Sequence, residues 1–312
     1  MASVISNKTG VRKLVGEIWK NKSVYTILLP GLLWYFIFVY GPMVGLSLAF
    51  KTYSSKLGIW NSPWVGLLNF QNVFRDANFM RSIWRTLYIN IGRLLFEFPM
   101  PVLMAIFLNE LRIRKYKRIV QTIMTFPHFL SWVVVSSILI NLLSLRGPIN
   151  TLIESLNFTP IHFLGTEKLF QPFLYITANW KSIGWSSIIY LAAIAGIDME
   201  QYEAAEIDGA SRFQRIIYIT LPSILPTVSV MFILAMGGLM SGGFDQIFNL
   251  NNAAVKNAAE TIDIYIYRIT FQSAPDFGFS MAVSMFRSIV NMGFLVLAHR
   301  GSKMMGGSGI IS

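Results

Sequence analysis

The 312-residue sequence contains no cysteine. That excludes a disulfide framework, a thiolate metal centre and a redox dithiol. Charge is also scarce. Only 13% of residues are Asp, Glu, Lys or Arg, against about one quarter in soluble globular domains. With 54% hydrophobic residues, the composition is that of an integral membrane protein. Acids are scarcer than bases, 15 against 26, for a net charge of +11. In a soluble chain that excess suggests nucleic acid. Here most basic residues stand beside apolar segments, so membrane topology accounts for it and no nucleic-acid partner is expected. The three histidines, His128, His162 and His299, are far apart and have no ligand spacing, so no metal is expected. There is no G-x-x-x-x-G-K-[ST] loop, and Gly306-Gly307-Ser308-Gly309 lacks the Lys and the following helix. The chain is therefore not expected to bind ATP itself. G-x-S-x-G and H-E-x-x-H are missing too, and no catalytic residue is expected.

What is present is a series of long apolar runs. Residues 1–22 carry Lys8, Arg12, Lys13, Lys20 and Lys22, with Val11, Leu14, Val15, Ile18 and Trp19 at helical spacing, the pattern of a basic amphipathic segment on the cytoplasmic face. A six-helix transmembrane domain is expected over residues 23–300, followed by a Gly-rich flexible tail at 301–312. The spans are read at Val24–Phe50, Ile83–Leu108, Ile119–Ser144, Leu169–Ile197, Leu221–Phe244 and Phe279–His299. Pro30, Pro42, Pro99, Pro101 and Pro127 predict bends within them. Short helices are expected near Leu68–Phe74 and Thr261–Phe271 in the intervening loops. The fold class is all-α and polytopic.

Polar groups inside the spans are the candidate pathway. Arg93 and Glu97 share a helical face, either as a pathway-lining pair or as a packing pair between helices. Asn179, Trp180, Lys181, Trp185 and Tyr190 make the fourth span more polar and aromatic than packing requires. Sugars bind where aromatic faces meet hydrogen-bonding groups. Gly237, Gly238, Gly242 and Gly243 cluster at the end of the fifth span, where a segment can unwind beside a passage, and Phe244 and Asp245 follow. Arg287 and Asn291 lie four apart on the sixth span.

Residues 198–222, DMEQYEAAEIDGASRFQRIIYITLP, are the most polar stretch of the second half. Asp198 with Gln201 and Ser211 with Gln214 are capping-box spacings, and Asp208-Gly209 is a turn dipeptide between them. The pattern predicts a short helix through Tyr202–Ile207, a turn, and a second helix through Phe213–Thr220 that leads back into the bilayer. Glu203 and Glu206 share a face, but a docking loop is no place for paired-carboxylate hydrolysis.

Glu203-Ala204-Ala205, Asp208-Gly209-Ala210 and Ile219-Thr220-Leu221-Pro222, at their mutual spacing, resemble the cytoplasmic EAA loop of ABC-importer permeases. SPWVGLLNF and FPHFLSWVVVSSIL resemble the polysaccharide-type branch of the sugar importers. The resemblance covers nearly the whole chain from Val24. It implies a permease core in which Glu203, Ala204, Ala205, Asp208, Gly209, Ala210, Phe213, Leu221 and Pro222 couple to an ATPase. It also implies a second permease subunit, two ATP-binding subunits that hold the ATP and magnesium, an extracytoplasmic solute-binding protein, and surrounding membrane lipid. The expected function is import of a complex oligosaccharide or polysaccharide fragment by alternating access. The rival readings are a permease of the same family for an amino acid, peptide or anion, and a membrane enzyme or receptor. The regions read as inside (1–22, 109–118, 198–222 and 299–312) hold 14 Lys/Arg, against 8 in the longer outside loops. That bias puts both termini on the cytoplasmic side, and the resemblance implies a bacterial inner-membrane protein.

Overall fold

The computed structural model describes residues 16, 19–272 and 275–304. Most of the amphipathic N-terminal segment and most of the Gly-rich tail lie outside the described residues. Among the described residues there are helices and no extended strands, and a lone antiparallel bridge joins Lys51 to Trp64. Five helical stretches are long and apolar enough to cross a membrane, or six if a bent pair counts as one span.

The helices are α1 Lys22–Tyr35, α2 Leu68–Arg75, α3 Ala77–Phe96, α4 Pro99–Glu110, α5 Arg114–Thr125, α6 Trp132–Leu143 and α7 Pro148–Ser155. There follow α8 Glu167–Ala195, α9 Met199–Ile207, α10 Arg212–Gly237, α11 Phe244–Leu250, α12 Ile262–Tyr267 and α13 Phe277–Met304. Several depart from the sequence reading. α3 starts at Ala77 rather than Ile83, because the Asp76 carboxylate caps it by accepting from the Asn78 and Phe79 amides. The stretch read as one span from Ile119 to Ser144 is two helices, α5 and α6. They are separated by a 3-10 turn at Phe126–Phe129 that carries Pro127. The presumed tail continues α13 as far as Met304.

The chain falls into two compact units. The smaller contains residues up to Phe70 together with Phe277–Ala282. Here α1 runs on through a wide turn at Phe36–Tyr40 and a 3-10 stretch at Gly41–Phe50, after Pro30 and around Pro42. Asn69 is buried and its amide donates to the Ala49 and Lys51 carbonyls, each 3.0 Å away, fastening the end of that stretch.

The larger contains Gln71–Asp276 and the residues from Val283 on. α8 is central and packs on α4, α5, α10 and α11. One core cluster joins Ile89 of α3, Phe170 and Leu174 of α8, and Ile247 and Leu250 of α11. A second joins Val102 and Ala105 of α4, Tyr190 and Ile194 of α8, and Ile224 of α10. The two clusters sit towards opposite ends of α8, and between them the interior is polar.

Candidate functional site: a polar cleft and an exposed loop

The cleft lies between α3, α4, α8 and α10 and has a volume of about 360 Å³. Ser182, Ser186 and Tyr190 line it from one face of α8, spaced every four residues. Asn90, Arg93 and Glu97 line it from α3, and Gly238, Leu239 and Ser241 from beyond the end of α10. Arg93 Nε is 3.6 Å from Glu97, and its Nη2 donates to Gln246 Oε1 at 2.6 Å. Gln246 is fully buried and its amide donates to Thr177 Oγ1 and the Leu174 carbonyl, both at 2.8 Å. The arginine is thus held by a side chain that is itself held, and its charge faces the cleft.

Opposite this pair the backbone is not helical. α10 ends at Gly237, and residues 238–243 run as turn and coil before α11 begins. Gly242 and Gly243 have φ of +123° and +76°. A Cβ on Gly243 would collide with the Arg93 guanidinium, so both the conformation and the close approach require glycine there. Unwinding leaves backbone groups without helical partners, and side chains take them. The Asn90 amide donates to the Leu239 carbonyl at 2.8 Å. Asn291 Oδ1 accepts from the Met240 amide at 2.8 Å, and its Nδ2 donates to Ser241 Oγ at 2.7 Å. Asp263 accepts from the Gly242 amide and is paired with Arg287.

The loop at 198–222 is the opposite kind of surface. α9 buries none of its side chains, and Ile207 (88% exposed), Phe213 (70%) and Met199 (64%) point outward. Asp198 caps α9 through the Glu200 amide, without the reciprocal Gln201 contact that the spacing predicts. α9 also begins earlier than the sequence reading, at Met199. The Ser211–Gln214 capping box is present as read. Gly209 sits between the helices at φ +78°. The second helix does not stop at Thr220. It passes through a wide turn at Ile216–Thr220, closed by Leu221 N–H to the Ile216 carbonyl, and continues into the membrane. Two contacts tie α9 to the base of α10: the Tyr202 and Thr220 hydroxyls at 2.9 Å, and Arg215 with Glu206 at 2.9 Å. α8 and α9 meet at 71°.

A comparison with known proteins fits this combination of a broken span, a braced loop and a polar cleft. The family of binding-protein-dependent transport system inner membrane components matches residues 97–284. The Bacillus subtilis protein LplB is 41% identical over 274 residues, 88% of this chain and 86% of that one. The chain belongs to this family. It is therefore a multi-pass membrane permease subunit, and its family is one of transporters rather than enzymes. The polygalacturonan/rhamnogalacturonan transport system permease protein YteP of Bacillus subtilis is 38% identical over 99% of this chain and 96% of its own. A bacterial ABC transporter involved in the import of the acidic polysaccharide alginate has a chain that superposes with TM-score 0.86. It is 35% identical, over 94% of this permease and 99% of that chain. A bacterial alginate ABC transporter in complex with an alginate pentasaccharide-bound periplasmic protein has a chain that gives TM-score 0.87 at 34% identity, over 96% of this chain and 100% of that one.

Of the nine pathway candidates read from the sequence, Tyr190 lines the cleft of the permease, and Asn291 and Arg287 hold the unwound segment beside it. Trp185 stacks flat on the His128 ring at 4.7 Å, and Lys181 donates to the His128 carbonyl and lies over Trp132. These two join α8 to the Phe126–Trp132 segment instead. Asn179 donates to the Phe96 carbonyl, capping the break between α3 and α4. Trp180 is half exposed. Phe244 stacks on Phe248, and Asp245 opens α11. Asn90, Gln246 and Asp263 were missed. All three act across more than twenty residues of sequence, Asn90 on the Leu239 carbonyl, Gln246 on Arg93 and Asp263 on the Gly242 amide and Arg287, so no local pattern marks their partners.

Proposed function

We propose that this permease is one of two transmembrane subunits of an ATP-driven importer for complex oligosaccharides, working by alternating access. The observation that carries the proposal is the exposed, braced α9. An apolar, solvent-facing surface on an otherwise polar loop calls for a partner, and the EAA residues Glu203–Ala210 lie on it or at its end. The partner is an ATP-binding subunit, which holds the nucleotide and magnesium; this chain carries no cofactor of its own. Closure of the two ATPases moves α9, and the Tyr202–Thr220 and Glu206–Arg215 contacts pass the displacement to α10. The far end of α10 is the unwound 238–243 segment, a natural place for the backbone to absorb the movement. Oligosaccharide arrives on an extracytoplasmic binding protein, as the permeases named above support. The second permease subunit completes the passage.

In this orientation both termini and the loop are cytoplasmic. The cysteine-free sequence makes that directly testable. In intact cells, a cysteine at Asn252 reacts with an impermeant thiol reagent and one at Ile207 does not; the reverse labelling inverts the topology. The function itself is tested by purification. The tagged permease brings down a second permease and an ATP-binding chain, and the binding protein loaded with oligosaccharide stimulates ATP hydrolysis. A permease that purifies without an ATP-binding chain refutes the proposal.

A further inference from the structure

A second and larger cavity opens at the other end of α8 from the loop. α8 has 29 residues and so is about 43 Å long. The loop follows its C-terminal end, while Lys168 in its first turn lines this cavity. The volume, about 1160 Å³, exceeds the roughly 300–1,000 Å³ usual for small-molecule pockets. Five Lys/Arg and two Glu line it, leaving three excess positive charges. Arg268 is committed to Glu260, with Nε to Oε1 at 2.9 Å. Arg81, Arg85, Lys168 and Lys256 make no salt bridge or side-chain hydrogen bond among the described residues.

The aromatics are arranged with the cations. Arg81, Trp84, Arg85 and Tyr88 follow the i, i+3, i+4, i+7 spacing of one helical face on α3. Trp84 is 70% exposed and Tyr88 62%. Such a face could also be an interfacial belt with arginines reaching for lipid phosphate. A belt is convex and comes from one element. This surface is concave, and it draws its cations from α3, α8 and the short helix Lys256–Ala259. Eight residues below Arg85, about 12 Å along the axis, Arg93 lines the cleft, where it is paired with Glu97.

We infer that this vestibule receives an acidic saccharide chain. Arg81, Arg85, Lys168 and Lys256 meet its carboxylates, and Trp84 and Tyr88 offer flat faces to the apolar sides of its pyranose rings. Cations spread over three elements attract a polyanion without gripping one carboxylate, and aromatic faces tolerate any ring that slides across them. That combination suits a chain that must keep moving. The inference rests on the importer reading above and fixes its substrate class as uronate-containing rather than neutral.

The test uses the full complex with its binding protein in proteoliposomes. The probes are a short oligogalacturonate and the same chain with its carboxyls reduced to alcohols. The wild-type complex takes up the acidic chain in preference to the reduced one. In the triple variant R81Q/R85Q/K256Q, uptake of the acidic chain falls roughly tenfold at low salt, and the defect shrinks as salt is raised. R81K/R85K keeps wild-type uptake. If the triple variant fails to assemble, K256Q, at an exposed position, serves alone, with an expected loss of about twofold to fivefold. Undiminished uptake in these variants overturns the inference. So does a loss that follows the anionic lipid content of the vesicles, which would assign the cations to headgroups. A wild-type complex that carries the reduced chain as well as the acidic one overturns the vestibule and leaves the importer standing. A complex that carries neither chain, and whose ATPase responds to neither, overturns both.

Discussion

The loop at 198–222 and the unwound segment at 238–243 bracket the same helix, α10, and solve opposite problems. The loop exposes apolar side chains and ties its own backbone down through local caps, with Ser211 and Gln214 satisfying each other. The segment takes its backbone out of helical pairing and borrows its partners from α3, α12 and α13. A surface whose apolar residues face out is unfinished within this chain, whereas the Leu239 carbonyl and the Met240 and Gly242 amides find their partners inside it. On the function proposed above, the intermolecular part of the mechanism falls at one end of α10 and the intramolecular part at the other. The contrast also ranks the substitutions that would break either end.

The largest effect is expected at Gly209. At φ +78° a β-branched residue is strained by a few kcal/mol and cannot hold the angle between α9 and α10. Nothing lies within 4 Å of the position where its Cβ would stand, so the cost is conformational and not a collision. Gly209→Val leaves the protein in the membrane and abolishes substrate-stimulated ATP hydrolysis of the assembled complex. Normal stimulation in that variant would show that the loop geometry does not matter for coupling.

The counterpart at the other end is Asn291→Leu. It removes one acceptor and one donor at once and leaves the Met240 amide without its partner. An unsatisfied buried polar group costs about 1–3 kcal/mol. The complex loses thermal stability in lipid nanodiscs by that amount and transports slowly, while basal ATP hydrolysis persists. If stability is unchanged, the segment is not pinned by Asn291.

How far the sequence reveals these two regions follows from the same contrast. Turn dipeptides and caps act within three or four residues, so Asp208-Gly209 and Ser211…Gln214 were readable directly, as was the break before Pro99. The glycine cluster signalled that a segment could unwind there, but not what would hold it. Gln246 meets Arg93 across 153 residues and Thr86 accepts from the Ile262 amide across 176. No local pattern encodes such pairings. The fourth span shows a further limit. α8 scatters Thr177, Asn179, Lys181, Ser182 and Ser187 among its apolar residues, so its periodicity does not say which face meets the pathway. The eye is drawn to Trp180 and Trp185, and the structure puts Ser182, Ser186 and Tyr190 on the cleft.

Trp185→Ala separates those readings. The ring is stacked on His128 and meets Phe129 edge-on at 5.8 Å, contacts worth about 0.5–1.5 kcal/mol beyond the area they cover. The expected outcome is a modest loss of thermal stability, with oligosaccharide uptake per assembled complex unchanged. Slowed uptake at full stability would instead return Trp185 to the pathway.

The smallest effect is expected from Glu206→Gln, and its smallness is informative. The Glu206 side chain is 73% exposed, so its bridge to Arg215 is screened by water and contributes about 0–1 kcal/mol. The neighbouring Tyr202–Thr220 hydrogen bond is better protected, since Thr220 is buried. Removing the phenolic hydroxyl in Tyr202→Phe leaves that threonine with its 3.5 Å contact to the Arg215 carbonyl. If α9 and α10 move as one piece, Tyr202→Phe raises the ATP turned over per sugar transported more than Glu206→Gln does, and the defect appears in that ratio before it appears in assembly. Raising the salt concentration should imitate Glu206→Gln and leave the Tyr202→Phe defect where it was, because screening acts on the exposed ion pair and not on the shielded hydroxyls. Equal salt sensitivity in both variants would mean that the bridge, and not the buried hydrogen bond, carries the movement between the two helices.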